Sequence, residues 1–230
     1  MEETVLRYGS FGDCQGEGCM RVLCISASNI LHSNENSISK VFCDRISEIL
    51  REKEIICETV DLRDFLLHPC IGCGKCFRSK RCCNDDGFNT IYEKVIQADA
   101  LFIVSPHYAP IPAKLSMLLE KMEQITFLRW WKDNDYKSEV YGLPIGIVSH
   151  GGAGDWALKS YKAMVNDTIA NALDTIQCKT VPYNAEWNTG ISLPVQSVLE
   201  EDGIFPVQKY DWKLLAQKIR DYVGLVLKEI

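Results

Sequence analysis

What most constrains this chain is a series of short apolar runs separated by stretches of helical periodicity. Ala100-Leu-Phe-Ile-Val-Ser105 is continuously apolar up to its last residue and is stopped by Pro106, the pattern of a strand covered on both faces. Residues 21–27 and 142–149 are runs of the same kind, and shorter ones occupy 55–61 and 175–182. Between them, Asn36 to Lys53 carries Ile38, Val41, Phe42, Ile46, Ile49 and Leu50 near helical spacing. Further helices are predicted from Asp86 or Asn89, as cap, to about Ala98, over Pro112–Thr126, over about Ala153–Leu173 and over Tyr210–Lys228. Five strands alternating with helices predict an α/β fold with a doubly wound parallel sheet. Its expected order is 2-1-3-4-5, with the ligand at the carboxyl ends of the strands beside the switch point.

One domain, residues 20–230, accounts for this pattern, preceded by an extension over 1–19 whose Cys14 and Cys19 receive no role. Residues 127–141 interrupt it with Phe127, Trp130, Trp131, Tyr136 and Tyr141 among charges. They read either as a lid or subunit contact, or as an irregular loop packed on its own domain. The apolar fraction of 47% and charged fraction of 24% are those of a soluble globular chain. A net charge of −6 argues against nucleic acid or an anionic membrane as partner. The acidic start and the lack of any apolar run of about 20 residues lead to the expectation of a reducing, cytoplasmic setting.

In that setting eleven cysteines point to metal ligation or redox work rather than to disulfides. Cys24, Cys43, Cys57 and Cys178 fall within predicted elements and read as inert, buried thiols. Cys70, Cys73, Cys76, Cys82 and Cys83 crowd into fourteen residues of a loop, 68–86, after the second strand. Gly72 and Gly74 are placed to take positive φ and turn successive thiols inward. A Cys-x2-Cys-x2-Cys start is used by iron–sulfur ferredoxins. Zinc sites more often pair two Cys-x2-4-Cys units over a longer spacer. Iron–sulfur, an empty thiol form, a redox disulfide and zinc all remain open on spacing alone. Lys75, Arg78, Lys80 and Arg81 in the same loop would offset an anionic centre or attract an acidic partner; a solvated basic loop is the plainer alternative.

Three further loops follow predicted strands. Ser26-Ala-Ser-Asn to Ser37 leads into a helix and offers Ser26, Ser28, Ser33, Asn36 and Ser37, donors suited to a phosphate at a helix N-terminus. The same residues would serve equally as turn formers. Ser105-Pro106-His107-Tyr108 supplies an aromatic, and Ser149-His-Gly151-Gly152-Ala-Gly154 supplies backbone that a flat ring can approach closely.

The first of these loops resembles the Gly-Ser-x-Arg to Asn-Thr loop of NADPH-dependent FMN reductases, the second their Ser-Pro-x-Tyr loop, and the third their third flavin loop. The resemblance spans about Met20 to Thr180. It implies a flavodoxin-like fold binding FMN through Ser26, Ser28, Ser33, Asn36, Ser37, Ser105, Pro106, His107, Tyr108, Ser149, Gly151, Gly152 and Gly154, near a dimer interface. The arginine common in the first loop is replaced, with Asn29, Ile30 and His32 in its neighbourhood. The cysteine spacing resembles that of the iron–sulfur flavoproteins within this superfamily, implying a [4Fe–4S] cluster on Cys70, Cys73, Cys76 and Cys82, with Cys83 the alternative to Cys82. No Ser-His-Asp or paired-carboxylate arrangement stands out, so no side chain is assigned as catalytic. The expected activity is electron transfer between FMN and the cluster, with NAD(P)H or ferredoxin as donor, quinones among the acceptors, and a homodimer or homotetramer as the assembly. The alternatives are an NAD(P)H-dependent FMN or quinone reductase without a cluster, and a non-enzymatic redox sensor or carrier.

Overall fold

The computed structural model describes residues 20–29, 37–199 and 207–230. Its main sheet runs β2-β1-β3-β4-β5, all parallel. The strands are β1 (Arg21–Ser26), β2 (Ile56–Asp61), β3 (Ala100–Pro106), β4 (Pro144–His150) and β5 (Lys179–Thr180). β3 and β4 are buried along their whole length, as their continuous apolar runs require. The carboxyl ends of β1, β3 and β4 lie side by side, with Ser26 opposite Val104 and Pro106 opposite His150.

Two apolar layers cover the sheet. Helices α1 (Ile38–Arg51) and α7 (Trp212–Leu227) bury Phe42, Ile46, Leu215 and Tyr222 on one face. Helices α3 (Asp86–Ile96), α4 (Ala113–Trp130) and α6 (Asp167–Thr175) bury Phe88, Leu115, Met122 and Ile169 on the other. Ser37 caps α1 through a bond from the Lys40 N–H. The cap of α3 is Asp85, not Asp86 or Asn89, because Asp85 is the residue whose carboxylate reaches the Phe88 N–H. Asn89 is spent on the backbone of Cys82.

The fifth strand differs most from expectation. Only Lys179 and Thr180 pair with the start of β4, and the ladder stops where the Tyr222 hydroxyl inserts, accepting the Ile147 N–H at 3.0 Å and donating to the Val181 carbonyl at 2.8 Å. The chain swings out and returns as β6 (Ile191–Leu193), which pairs with the far end of β4. Gly190 makes the return possible. Its φ is +118°, and a Cβ there would stand 2.2 Å from the Ile147 carbonyl oxygen.

The helix expected over about 153–173 is also broken up. A 3-10 turn (Asp155–Ala157), a short α5 (Leu158–Tyr161) and a π turn (Lys162–Asn166) precede α6. The π turn ends on Asn166, fully buried, whose amide donates to the Ile191 carbonyl. α4 continues past Thr126 to Trp130, so the aromatic segment begins on a helix. A small antiparallel pair, β7 (Ser197–Leu199) with β8 (Val207–Lys209), lies beyond the reach of the sequence pattern. Among the described residues, no helix is long and apolar enough to cross a membrane.

Candidate functional site

Three loops meet at the carboxyl edge of the sheet. After β1, the Ala27 N–H bonds to the Val104 carbonyl at 2.9 Å, holding this loop against β3. Ser26 is fully buried, and its Oγ has no hydrogen-bond partner among the described residues. A buried hydroxyl in that condition is costly unless a ligand or water completes it. Ser28 and Ser37 are buried nearby in sequence, Ser37 being occupied with the α1 cap. Ser33, Asn36, Ile30 and His32 lie outside the described residues.

After β3, the His107 N–H continues the ladder to the His150 carbonyl at 2.9 Å. The His107 ring approaches the Met164 sulfur at 3.2 Å and leans on Tyr161, 5.6 Å between centroids. Tyr108 is partly exposed at the edge. Ser105 and Ser149 do not join these loops at the surface. Both are fully buried, Ser105 donating to the Pro106 carbonyl and Ser149 paired with Ser192 at 2.7 Å.

After β4, Tyr161 organises the glycine loop. Its hydroxyl accepts the Ala153 N–H at 2.9 Å, and a Cβ on Gly151 would lie 2.4 Å from that same oxygen. Gly151 is therefore needed for contact with Tyr161, whereas Gly154 has only ordinary van der Waals neighbours and Gly152 lies beside the Gln208 amide. Burial raises the Tyr161 phenol, keeping it protonated with a hydrogen still to donate. His150 ends β4 in a buried position, its Nε2 2.8 Å from Ser39 Oγ in the first turn of α1. Burial pushes its pKa down to about 3, so the ring is neutral. Tyr161, His150 and Trp156, the last widely exposed just past the glycines, were not singled out from sequence. Nothing in local spacing marks them, because their roles depend on neighbours in other elements.

The cysteine loop is built against α4 by charged side chains that bond its backbone. Just before the loop, Lys114 donates to the carbonyls of Leu62, Arg63 and Phe65 and fixes the approach to it. Glu120 accepts the Cys70 N–H at 3.1 Å. Arg129 donates to the carbonyls of Cys76 and Phe77 at 2.9 and 2.7 Å. Lys121 bonds both the His68 carbonyl and the Asp85 carboxylate, and Asp85 in turn accepts the His68 N–H at 2.8 Å. From α3, Asn89 takes both the N–H and the carbonyl of Cys82, each at 2.8 Å. The loop is thus fastened at its start, middle and end by protein groups alone. Gly72 and Gly74 have φ of +65° and +66°, as their place between the thiols requires.

Within this frame Cys73, Cys76, Cys82 and Cys83 line a shallow open cleft, floored by Phe88, Lys121 and Ile125. Cys76 and Cys82 are half-buried against the core, while Cys73 and Cys83 are exposed. Burial raises the Cys76 thiol, and the neighbouring thiols of Cys70, Cys73 and Cys82 raise it further. Cys73 is held below its usual range, first by the Lys75 N–H and then by Cys83, whose sulfur is 3.7 Å away. Among the described residues, no three Cys, His, Asp or Glu side chains converge closely enough to hold a single metal ion. Of the four basic loop residues, Lys80 pairs with Glu139 and Arg81 with Glu93. Elsewhere, Cys24 and Cys43 are buried as expected, and Cys57 and Cys178 are half-buried.

The sequence model of the NADPH-dependent FMN reductases matches residues 20–187. The chain belongs to this family. It is also similar to an iron-sulfur flavoprotein of Methanocaldococcus jannaschii, 30% identical over 103 residues, 44% of this chain and 51% of that protein. An iron-sulfur flavoprotein of Methanosarcina thermophila is 32% identical over 75 residues, 32% of this chain and 39% of that protein. The chain thus spans about half or less of the curated relatives it matches. Among solved structures, RosB with bound 8-demethyl-8-formylriboflavin-5'-phosphate superposes at a TM-score of 0.61 and 16% identity, over 92% of this chain and 79% of RosB. Oxidised flavodoxin 1 of Bacillus cereus does so at 0.52 and 13%, over 91% and 99%. These likenesses show a flavodoxin-like fold.

Proposed function

We propose that this chain is an FMN-dependent electron-transfer oxidoreductase in which the flavin works with a [4Fe–4S] cluster on Cys70, Cys73, Cys76 and Cys82. The observation that carries the proposal is the clamped loop in which Cys73, Cys76 and Cys82 face one cleft, with Cys70 held at its rim by Glu120. Cys82, fixed by Asn89 and packed with Cys76 against the core, is favoured over the exposed Cys83 as the fourth ligand. Zinc sites more often pair two Cys-x2-4-Cys units over a longer spacer, and the single compact run here favours a polynuclear centre instead. With Lys121, Lys80 and Arg81 held in ion pairs, Lys75 and Arg78 are the basic loop residues left to offset the negative charge that four thiolates bring.

For FMN, the orphaned Ser26 hydroxyl and the N-terminus of α1 beside it fit a phosphorylated ligand. FMN supplies two-electron and one-electron redox chemistry when bound, and a cluster carries single electrons. The chain's own residues bind and orient. Tyr161 fixes the glycine loop by accepting the Ala153 N–H. His107 and Tyr108 wall the edge of the crevice. Donors of the NAD(P)H or ferredoxin class, quinone acceptors, a cytoplasmic setting and a homodimer or homotetramer belong to the same proposal. The exposed Phe127, Trp130 and Trp131 support a covered surface in such an assembly.

The test is anaerobic purification followed by iron and sulfide analysis, visible and EPR spectra, and light scattering. About four irons and one FMN per chain are expected. Iron-free protein with full NAD(P)H-driven turnover would overturn the cluster and leave a plain FMN or quinone reductase.

A further inference from the structure

The loop carries one more thiol than a four-cysteine cluster uses. Cys83 follows the preferred fourth ligand directly, and its sulfur stands 3.7 Å from that of Cys73, ten residues earlier. Both side chains are exposed, so an oxidant in solution reaches them. The other thiols are less free to move. Cys82 has both of its backbone polar groups held by Asn89, and it packs with Cys76 against the core. Cys70 is tied through its N–H to Glu120, and its sulfur accepts the Gly72 N–H at 3.4 Å. A link between the adjacent Cys82 and Cys83 would close a small ring across the peptide that Asn89 grips. Cys73, by contrast, lies between two glycines at positive φ, where the backbone can follow its sulfur.

We propose that Cys73 and Cys83 form an oxidation site, closing to a disulfide whenever the loop does not hold its cluster. The inference rests on the cluster reading for its regulatory sense. With iron bound, Cys73 is occupied and the pair cannot close. With iron lost, closure stores Cys73 in a form that a thiol reductant returns.

The oxidant class is a hydroperoxide. One thiolate of the pair attacks the peroxide oxygen, the O–O bond breaks, and a sulfenic acid and hydroxide result. The second sulfur then attacks the oxidised sulfur, the S–S bond forms, and the departing hydroxide takes a proton to become water. Two thiols and one hydrogen peroxide thus give one disulfide and two waters. Without Cys83, the sulfenic acid on Cys73 is open to further, irreversible oxidation. Closure brings the sulfurs from 3.7 Å to about 2.05 Å, a movement of under about 2 Å that the glycines on either side of Cys73 accommodate.

The experiment uses the full chain, as purified without oxygen and after iron chelation, each treated with hydrogen peroxide, alkylated and mapped by tandem mass spectrometry. Fragment ions between Cys82 and Cys83 assign the sulfur. The expected result is a Cys73–Cys83 link in the chelated chain, its absence in the iron-loaded chain, and its loss in Cys83→Ser with sulfinic acid appearing on Cys73. Cys83→Ser keeps the wild-type iron content when prepared without oxygen. A link through Cys82 or Cys70 instead, or loss of iron in Cys83→Ser, would overturn the inference. If the wild-type chain proves iron-free from the start, the cluster reading fails, but the site of the link is still read in the same spectra.

Discussion

The ion pair of Lys121 with Asp85 should be the costliest polar contact in the chain to break from one side. Lys121 is 3% and Asp85 4% exposed. Asp85 accepts the His68 N–H and the Phe88 N–H, both at 2.8 Å, as well as the lysine. Lys121 has fewer alternatives: besides Asp85 it holds the His68 carbonyl and lies 5.5 Å from the centre of the Phe88 ring. Removing one partner of a buried pair costs about 3–5 kcal/mol. Lys121→Met should fall at the low end, because Asp85 keeps two backbone donors. Asp85→Asn should fall at the high end, since it leaves an ammonium group facing one carbonyl and weakens the α3 cap. At about 2–4 °C per kcal/mol for a chain of this size, the melting temperature should drop by about 6–20 °C. The double variant should cost less than the sum of the two by about 1–3 kcal/mol, the range for directly coupled residues. Urea unfolding of the reduced, iron-free chain, followed by far-ultraviolet circular dichroism, measures all three.

The pH dependence has a definite sign. The His68 and Phe88 N–H groups and the Lys121 ammonium hold the Asp85 carboxyl below its usual range, outweighing burial. Its contribution is therefore full above the unfolded value of about 3.9 and is lost as pH falls through the lower folded value. The gap between wild type and Asp85→Asn should be constant at neutral pH and shrink only in acid. Single variants costing under about 1 kcal/mol, or costs that simply add to within about 0.5 kcal/mol, would refute the reasoning.

Gly151→Ala should push Tyr161 off the glycine loop, an overpacking cost of about 1–3 kcal/mol, and weaken FMN binding about tenfold or more in a flavin-fluorescence titration; unchanged affinity would contradict the assignment of Tyr161. His150, held near 3 by burial, remains neutral in the folded chain while the unfolded chain takes up a proton below about 6.5. Wild-type stability should therefore decline as pH falls from about 6.5, with a shallower slope in His150→Gln. Equal slopes would show that His150 is not the group responsible.

The strands at 21–26, 100–106 and 144–150 were legible from the sequence because each apolar run is covered on both faces, whereas the edge strand at 56–61, largely half-buried and carrying Glu58, showed as a shorter run. The helices between them were legible to within a few residues for a similar reason: periodicity reports burial on one face. The cysteine loop could be seen in its spacing, and Gly72 and Gly74 in their place between thiols. None of those signals depends on a distant partner.

Other features have no local signature. The fifth strand divides in two because β4 offers two separate stretches of edge, and only the return at Gly190 beside Ile147 brings Ile191 to the second. Ser105 and Ser149, which look like ligand residues in a linear motif, face into the sheet, because strand alternation leaves their hydroxyls among buried neighbours. Tyr161, His150, Lys121 and Arg129 read as ordinary helix or strand residues until packing sets them against Gly151, Ser39, Asp85 and the Cys76 carbonyl. Composition and periodicity thus determined the class of fold and the chemistry available in its loops. Tertiary packing decided which hydroxyls and thiols are free to use it, since satisfying a buried polar group is settled by residues far away in the chain.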